Sequence, residues 1–449
     1  MLKEFKPTFR IATPLIIGNI TQMSLGLMDM AMVGSIDYVQ LAAGAFVTNV
    51  LAIPTIIGIG LTTAMTPLIA IANGQNDEWS VSHYLYNGVI LCTLIGILIA
   101  LGIEIFNPIV NQMGQDPLVI QYSIPYIKIV GWSIIPMIFF LSMKQFCDAL
   151  EYTEIAMFLS ILALPINGFL NWIFIFGKLG APRLELYGAG VGTILTRIII
   201  SIMLLVFILK SYRFKQYIQI RKSAWKVKWE GMKQLIKLGV PSSLQYGLEV
   251  GAFSLSGIMI GWFGATQQAA HQIALNLASF TFMIIMGIST AGSIRVSNAY
   301  GKNEIEKLRK IGYSTLLFGG GFGLCFALFF ILFHNYLPYI FNQETAVVTL
   351  AGQLLIFAAV FQLSDSTQAI GVGLLRGIKD VKIPTFFVVI AYWIIGLPVG
   401  YFLGVRYDMK AAGMWIGLAL GLTTSSLLLN FRFRHQSKKL EHLKNALVK

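Results

Sequence analysis

Three carboxylates stand in long apolar stretches of this sequence: Asp29 in SLGLMDMAMVG, Glu249 in LQYGLEVGAFSLSG and Asp365 in FQLSDSTQAIG. Glu249 is the only acidic or basic residue from Val240 to Thr266. A charged side chain at the centre of a membrane span costs at least about 2.5–3.5 kcal/mol, so it needs either a partner or a purpose. Carboxylates with hydroxyls and carbonyls around them are the ligand set of a hard cation. Glu249 and Asp365 fall in the same half of the chain and could share one metal ion, with Ser254, Ser364, Ser366 and Thr367 near in sequence. The same carboxyl groups could instead carry protons, and the residues alone leave both chemistries open. Asp29 is the only one of the three in its half, with Asn19, Gln22, Asn167, Asn171 and Thr193 as polar candidates around it. The structural alternative is that each acid is simply hydrogen-bonded by its neighbours.

Other polar residues in apolar stretches carry simpler readings. Lys128 and Arg295 lie near segment ends, from which long side chains reach the interface. Arg197 lies deeper, and its role is open. His271 reads as a satisfied structural histidine. Met23, Met28, Met30 and Met32 around Asp29 could line an adaptable cavity or pack helices.

The elements that must position these groups follow from composition. The chain has 449 residues, 56% of them hydrophobic and 12% charged, with a mean hydropathy of +0.73, which describes a polytopic membrane protein. Twelve apolar segments lie at 11–35, 44–72, 83–106, 122–147, 155–177, 187–210, 235–262, 269–299, 311–333, 345–374, 384–404 and 411–431. The first reads as a span and not a removed signal peptide, having no small-residue cleavage site. Prolines at 14, 54, 67, 136, 165, 241 and 398 are tolerated in membrane helices. No series of alternating ten-residue segments is present, so a β-barrel is excluded. Cys92, Cys147 and Cys325 form no CxxC pair and read as packing residues.

Most of the 33 Lys and Arg fall on one side if the N-terminus is cytoplasmic: near the N-terminus, between Lys210 and Lys237, after spans 8 and 10, and in the C-terminal tail. This positive-inside pattern places both termini in the cytoplasm and explains the net charge of +13 as topology with some affinity for anionic lipid, not as nucleic-acid binding.

A single displacement aligns the two halves. Pro14 falls on Pro241, Met32 on Met259, Gly34 on Gly261, Asn49 on Asn276, Gly60 on Gly287, Gly74 on Gly301 and Gly177 on Gly404. Two parallel six-helix repeats are expected: an N-terminal lobe at 1–215, a basic cytoplasmic loop at 216–234, and a C-terminal lobe with a basic tail at 235–449. The same register sets Glu249 on Gln22, Asp29 on Ser256 and Asp365 on Ile138. The duplication accounts for prolines and glycines and does not account for the acids.

No GxxxxGK[ST], HExxH, GxSxG or metal-spaced His/Cys cluster occurs, which argues against ATP hydrolysis and against a membrane enzyme. GxxxG at Gly257/Gly261 and at Gly413/Gly417 reads as close helix packing.

Taken in order, LMDMAMVG, NWIFIFGKLGAP, the LEV around Glu249, QQAAHQIALN, SIRVSNAYGKN and GVGLLRGIKD after Asp365 resemble the multidrug and toxic compound extrusion (MATE) transporters, nearest their NorM-like branch. The resemblance spans nearly the whole chain. It implies an all-α fold of 12 transmembrane helices in two V-shaped lobes, alternating access, and export of cytotoxic organic cations in exchange for Na⁺ or H⁺. It implies a cation site at Glu249 and Asp365, with Asp29 tied to coupling in the N-terminal lobe and Asn167, Asn171 and Thr193 as its neighbours. A multi-pass protein of the bacterial inner membrane is expected, working as a monomer without a cofactor beyond the coupling ion. The rival readings are a lipid-linked oligosaccharide flippase of the same superfamily and a polytopic membrane enzyme. The first would line its cavity with cations, whereas the unmatched intramembrane charges here are mostly acidic. The second would need a clustered nucleophile, base or metal triad.

Overall fold

Apolar runs longer than a bilayer core can satisfy their backbone in lipid only as helices, and the computed structural model, which describes residues 2–218 and 224–448, is almost wholly helical. Residues 219–223 of the expected inter-lobe loop, with Arg221 and Lys222, lie outside the described residues. The helices are α1 (Leu2–Gly34), α2 (Tyr38–Thr62), α3 (Met65–Gly74), α4 (Glu78–Phe106), α5 (Pro117–Trp132), α6 (Ile134–Ala149), α7 (Thr153–Phe176), α8 (Glu185–Lys210) and the short α9 (Lys215–Ile218). They continue with α10 (Trp229–Gly261), α11 (Ala265–Gly301), α12 (Ile305–Phe333), α13 (Thr345–Gly377), α14 (Lys382–Val388), α15 (Leu397–Tyr401) and α16 (Lys410–Val448).

Several expected spans are interrupted for identifiable reasons. The break between α2 and α3 follows Thr62 and Thr63, whose hydroxyls donate to Ile59 O and Gly60 O and compete for helical carbonyls. The break between α5 and α6 falls at Ser133, which donates to Val130 O at 2.7 Å. The span containing α14 and α15 winds as a π-helix over Val389–Gly396 and again over Phe402–Arg406, on either side of Pro398, which has no N–H to give the ladder.

Among the described residues, eleven helical stretches are long and apolar enough to cross a membrane. The twelfth expected span, 235–262, is the 33-residue helix α10. It falls short on hydropathy because Gln245, Glu249 and four serines dilute its apolar residues.

The chain folds as two compact units, Ile17–Ser243 on one hand and Met1–Ile16 with Leu244–Lys449 on the other. The polypeptide passes from one to the other inside α1 and inside α10. In the first unit the core gathers Val33, Val47, Leu51, Tyr126, Ile175 and Leu186. The α10 segment before Leu244 belongs here: Ser243 donates to Ile57 O at 2.9 Å, and the backbone at Ser243 lies so close to Gly60 that a Cβ there would meet Ser243 Cα at 2.5 Å.

In the second unit the start of α1 packs Ile11, Ala12 and Leu15 onto Ile285, Ile288 and Phe433. Arg295 of α11 fastens it, donating to Glu4 O at 2.8 Å, to Thr8 Oγ1 at 2.6 Å and to the Glu4 carboxylate. This corrects the expectation for Arg295, which is buried in an ion pair instead of reaching for an interface. Lys128 does reach outward and pairs with Glu104 at 2.9 Å. A second cluster of the same unit holds Phe361, Tyr392 and Trp415, and His271 accepts from Trp415 Nε1 at 3.1 Å, a satisfied structural histidine as expected.

Candidate cation site

Glu249 projects from the middle of α10 toward α13 and the π-helical segment. Its Oε1 accepts hydrogen bonds from Gln368 Nε2 of α13 and from the Tyr392 hydroxyl, both at 3.3 Å. Asp365 lies one turn before Gln368 on the same face of α13. It is buried, at 7% exposure, stands within electrostatic reach of Glu249, and has no hydrogen bond to another described residue. Gln368 gives its amide N–H to Glu249, and its Oε1 is left buried without a donor. Two carboxylates, an idle amide oxygen and a phenol oxygen therefore converge in one apolar setting. That is an all-oxygen set, suited to a hard monovalent cation or to a shared proton and poorly suited to a soft metal. Among the described residues, no three His, Cys, Asp or Glu side chains gather into a metal site.

The two serines proposed from sequence neighbourhood are elsewhere. Ser254 is exposed on α10, and Ser364 pairs with Thr423 of α16 at 2.9 Å. Ser366 donates to Gln362 O of its own helix, and Thr367 donates to Leu363 O and pairs with Ser426 of α16 at 2.7 Å.

Asp29 of α1 sits in the other unit with a shell of its own. Asn171 Nδ2 donates to Asp29 Oδ1 at 2.6 Å and Thr193 Oγ1 to Asp29 Oδ2 at 3.0 Å. Asn171 also leans on Asn167 Oδ1 at 3.3 Å. Asn171 approaches α8 at Gly192, where a Cβ would meet its Oδ1 at 2.1 Å, so only glycine leaves room for the amide. Asn171 Oδ1, like Gln368 Oε1, is buried with no donor. Gln22 is exposed on α1 and takes no part in this cluster. Arg197 finds its place here: its Nη1 donates to Ser133 Oγ at 2.5 Å, within electrostatic reach of Asp29 and without an ion pair to it. Met28 and Met30 pack against Gly168 and Gly44, favouring helix packing over a cavity for these two.

Removing the Asn171 amide should leave Asp29 with Thr193 and the neighbouring Asn167. A hydrogen bond to a charged group is worth about 1.5–3 kcal/mol. Asn171→Ala is therefore expected to lower stability by about 1.5–3 kcal/mol, and an unchanged thermal transition would remove Asn171 from the Asp29 cluster.

Sequence reasoning missed Gln368, Tyr392 and the arginine below them on α13, Arg376. Gln368 had a signal, its three-residue spacing from Asp365. Tyr392 had none, since a separate segment brings it to Glu249.

The MatE family model matches twice, over residues 14–173 and 241–402, and its two starts are Pro14 and Pro241, the first matched pair of the internal repeat. The chain is 33% identical over 441 residues to the multidrug resistance protein MdtK of Yersinia pseudotuberculosis serotype O:1b (strain IP 31758), covering 97% of this chain and 96% of that protein. The MdtK of Yersinia enterocolitica serotype O:8 is 32% identical over the same share of both. Among solved structures, the eukaryotic MATE transporter AtDTX14 superposes with a TM-score of 0.89 at 21% identity, covering 98% of this chain and 99% of that one. An outward-facing multidrug resistance MATE transporter of the MOP superfamily also reaches 0.89, at 19% identity, with 98% and 97% covered. With an all-helical, internally duplicated, multi-pass fold and two matches to one family model, this chain belongs to the MATE family of membrane transporters, not to an enzyme family.

Proposed function

We propose that this transporter is a secondary antiporter that exports organic cations and related drugs in exchange for Na⁺ or H⁺; the multidrug resistance names of its relatives support the drug-export part of that reading. The observation that carries the reading is the pairing of Glu249 with Asp365: two carboxylates in mutual reach, Asp365 buried and Glu249 partly so, with no ion pair to another described residue, beside an idle amide oxygen. Two like charges in a low-dielectric setting are stable only with a cation or a proton between them. Occupancy of that site then favours one conformation and drug the other, so the ligands exclude each other through the conformational equilibrium. Asp29, with Asn167, Asn171 and Thr193, would be the coupling group of the other unit. The setting is a bacterial inner membrane with both termini cytoplasmic. The transporter works as a monomer in contact with anionic lipid and has no nucleic-acid partner.

In proteoliposomes a fluorescent organic cation should accumulate in the compartment that the driving ion leaves. A tenfold gradient stores about 1.4 kcal/mol, enough for about tenfold accumulation at one-for-one exchange. A Na⁺ gradient at fixed pH and a pH gradient without Na⁺ separate the two coupling ions. Failure of both gradients to drive accumulation would overturn the antiport reading.

A further inference from the structure

Among the described residues, two arginines are buried in the unit that holds Glu249. Arg295 is ion-paired to Glu4. Arg376, near the end of α13, is not paired to a carboxylate among the described residues. Its Nη1 donates to the Tyr246 hydroxyl at 3.1 Å, and the guanidinium lies 5.1 Å from the centre of that ring. Its Nε and Nη2 are buried with no hydrogen-bond partner. A buried guanidinium with idle donors is unfavourable unless another arrangement of the site uses them.

The surroundings identify that arrangement. Tyr246 precedes Glu249 by three residues on α10, so the two side chains share one side of the helix. Gln368, which donates to Glu249, lies about two turns before Arg376 on α13. Arg376 is within electrostatic reach of Glu249. The idle atoms, Nε and Nη2, form the side-on edge of the guanidinium, whose spacing matches the two oxygens of a carboxylate. The other unit repeats the theme: Arg197 is held by Ser133 within reach of Asp29 without touching it. An anion from solution is a poorer occupant for the idle edge of Arg376, because Glu249 and Asp365 repel it.

We propose that Arg376 is a tethered counter-cation for Glu249, engaging its carboxylate through Nε and Nη2 when the coupling ion has left and returning to Tyr246 when the ion binds. This inference rests on the ion-coupled reading above. Its mechanistic value is twofold. The ion-free protein keeps its acid compensated, and the entering cation must displace the guanidinium, which holds its affinity low enough for release. If the arginine-engaged form makes up about nine-tenths of the ion-free protein, the apparent cation affinity is reduced about tenfold.

Trp393, whose Nε1 donates to Leu248 O at 3.1 Å beside Glu249, supplies a reporter. Purified full-length protein is titrated with Na⁺ at fixed pH, and with acid in Na⁺-free buffer, while tryptophan fluorescence is followed. Arg376→Gln should bring the midpoint for the coupling ion to about tenfold lower concentration and slow drug export. Arg376→Lys keeps the charge and loses the side-on edge, and should fall between the two proteins. In a Glu249→Gln background, Arg376→Gln should cause no further shift. A midpoint unmoved by Arg376→Gln, or one that shifts equally in the Glu249→Gln background, overturns the proposal while leaving wild-type coupling intact. Absence of ion-driven transport by the wild-type protein would instead defeat the antiport reading itself.

Discussion

Replacing Glu249 by Gln is expected to reduce ion-driven drug accumulation to the level of empty vesicles, a loss of about a hundredfold or more. The substitution is nearly isosteric, and a glutamine carbonyl can still accept from Gln368 and from Tyr392, which both contact Oε1. What disappears is one of the two charges that would hold the cation. Removing one partner of a buried charge interaction typically costs about 3–5 kcal/mol, which exceeds two powers of ten in occupancy. Asp365→Asn should behave alike, because its carboxylate has no other described partner than the site itself. Neither variant should unfold, since burying a neutral amide is less costly than burying a carboxylate. Equilibrium binding of drug to the detergent-purified variants should persist, separating the loss of coupling from loss of substrate recognition. Full ion-driven transport by Glu249→Gln would show that the coupling ion binds elsewhere.

How the site came to be legible depends on which residues are considered. Asp29, Glu249 and Asp365 stand out in the sequence because an acid in an apolar run is expensive whatever the fold around it. Asn171 and Thr193 join Asp29 as expected. Ser254 and Ser364 were candidates by sequence proximity alone, and helical geometry sends them away. Five residues turn a helix by about 140° beyond one full turn and one residue by about 100°, whereas the three from Asp365 to Gln368 return within about 60° of the same line. Tyr392 and Arg376 depend on contacts between helices, with Tyr392 delivered by a π-helical turn that no local pattern announces. The duplicated helical architecture was readable because proline and glycine positions recur in register. The breaks at Thr63 and Ser133 were not, since hydroxyl competition for helical carbonyls leaves the apolar pattern unbroken.

The GxxxG pairs show the same division and lead to the second large expected effect. In sequence Gly257/Gly261 and Gly413/Gly417 are equivalent. In the structure a Cβ on Gly417 would lie 2.4 Å from Gly396 O and 2.4 Å from the Gly400 backbone, while one on Gly261 meets nothing nearer than Gln268 Oε1 at 3.5 Å. Gly396 and Gly400 are backbone in the π-helical span, so they cannot swing aside as a side chain would. For Gly417→Ala, α16 and that span must move apart by about 1 Å to restore ordinary contact. The expected loss is about 3 kcal/mol of stability, only partly offset by the roughly 1 kcal/mol that alanine gains over glycine in a helix. Gly261→Ala should be neutral or slightly stabilising. Thermal unfolding followed by size-exclusion chromatography would distinguish the two, and equal transitions would mean the α16 contact is not tight. The displaced span is also the one that carries Tyr392 to Glu249. Gly417→Ala protein that remains folded should therefore lose ion coupling as well as stability, whereas Gly261→Ala should keep both. A stable Gly417→Ala protein with normal coupling would mean that this span can move without disturbing the cation site.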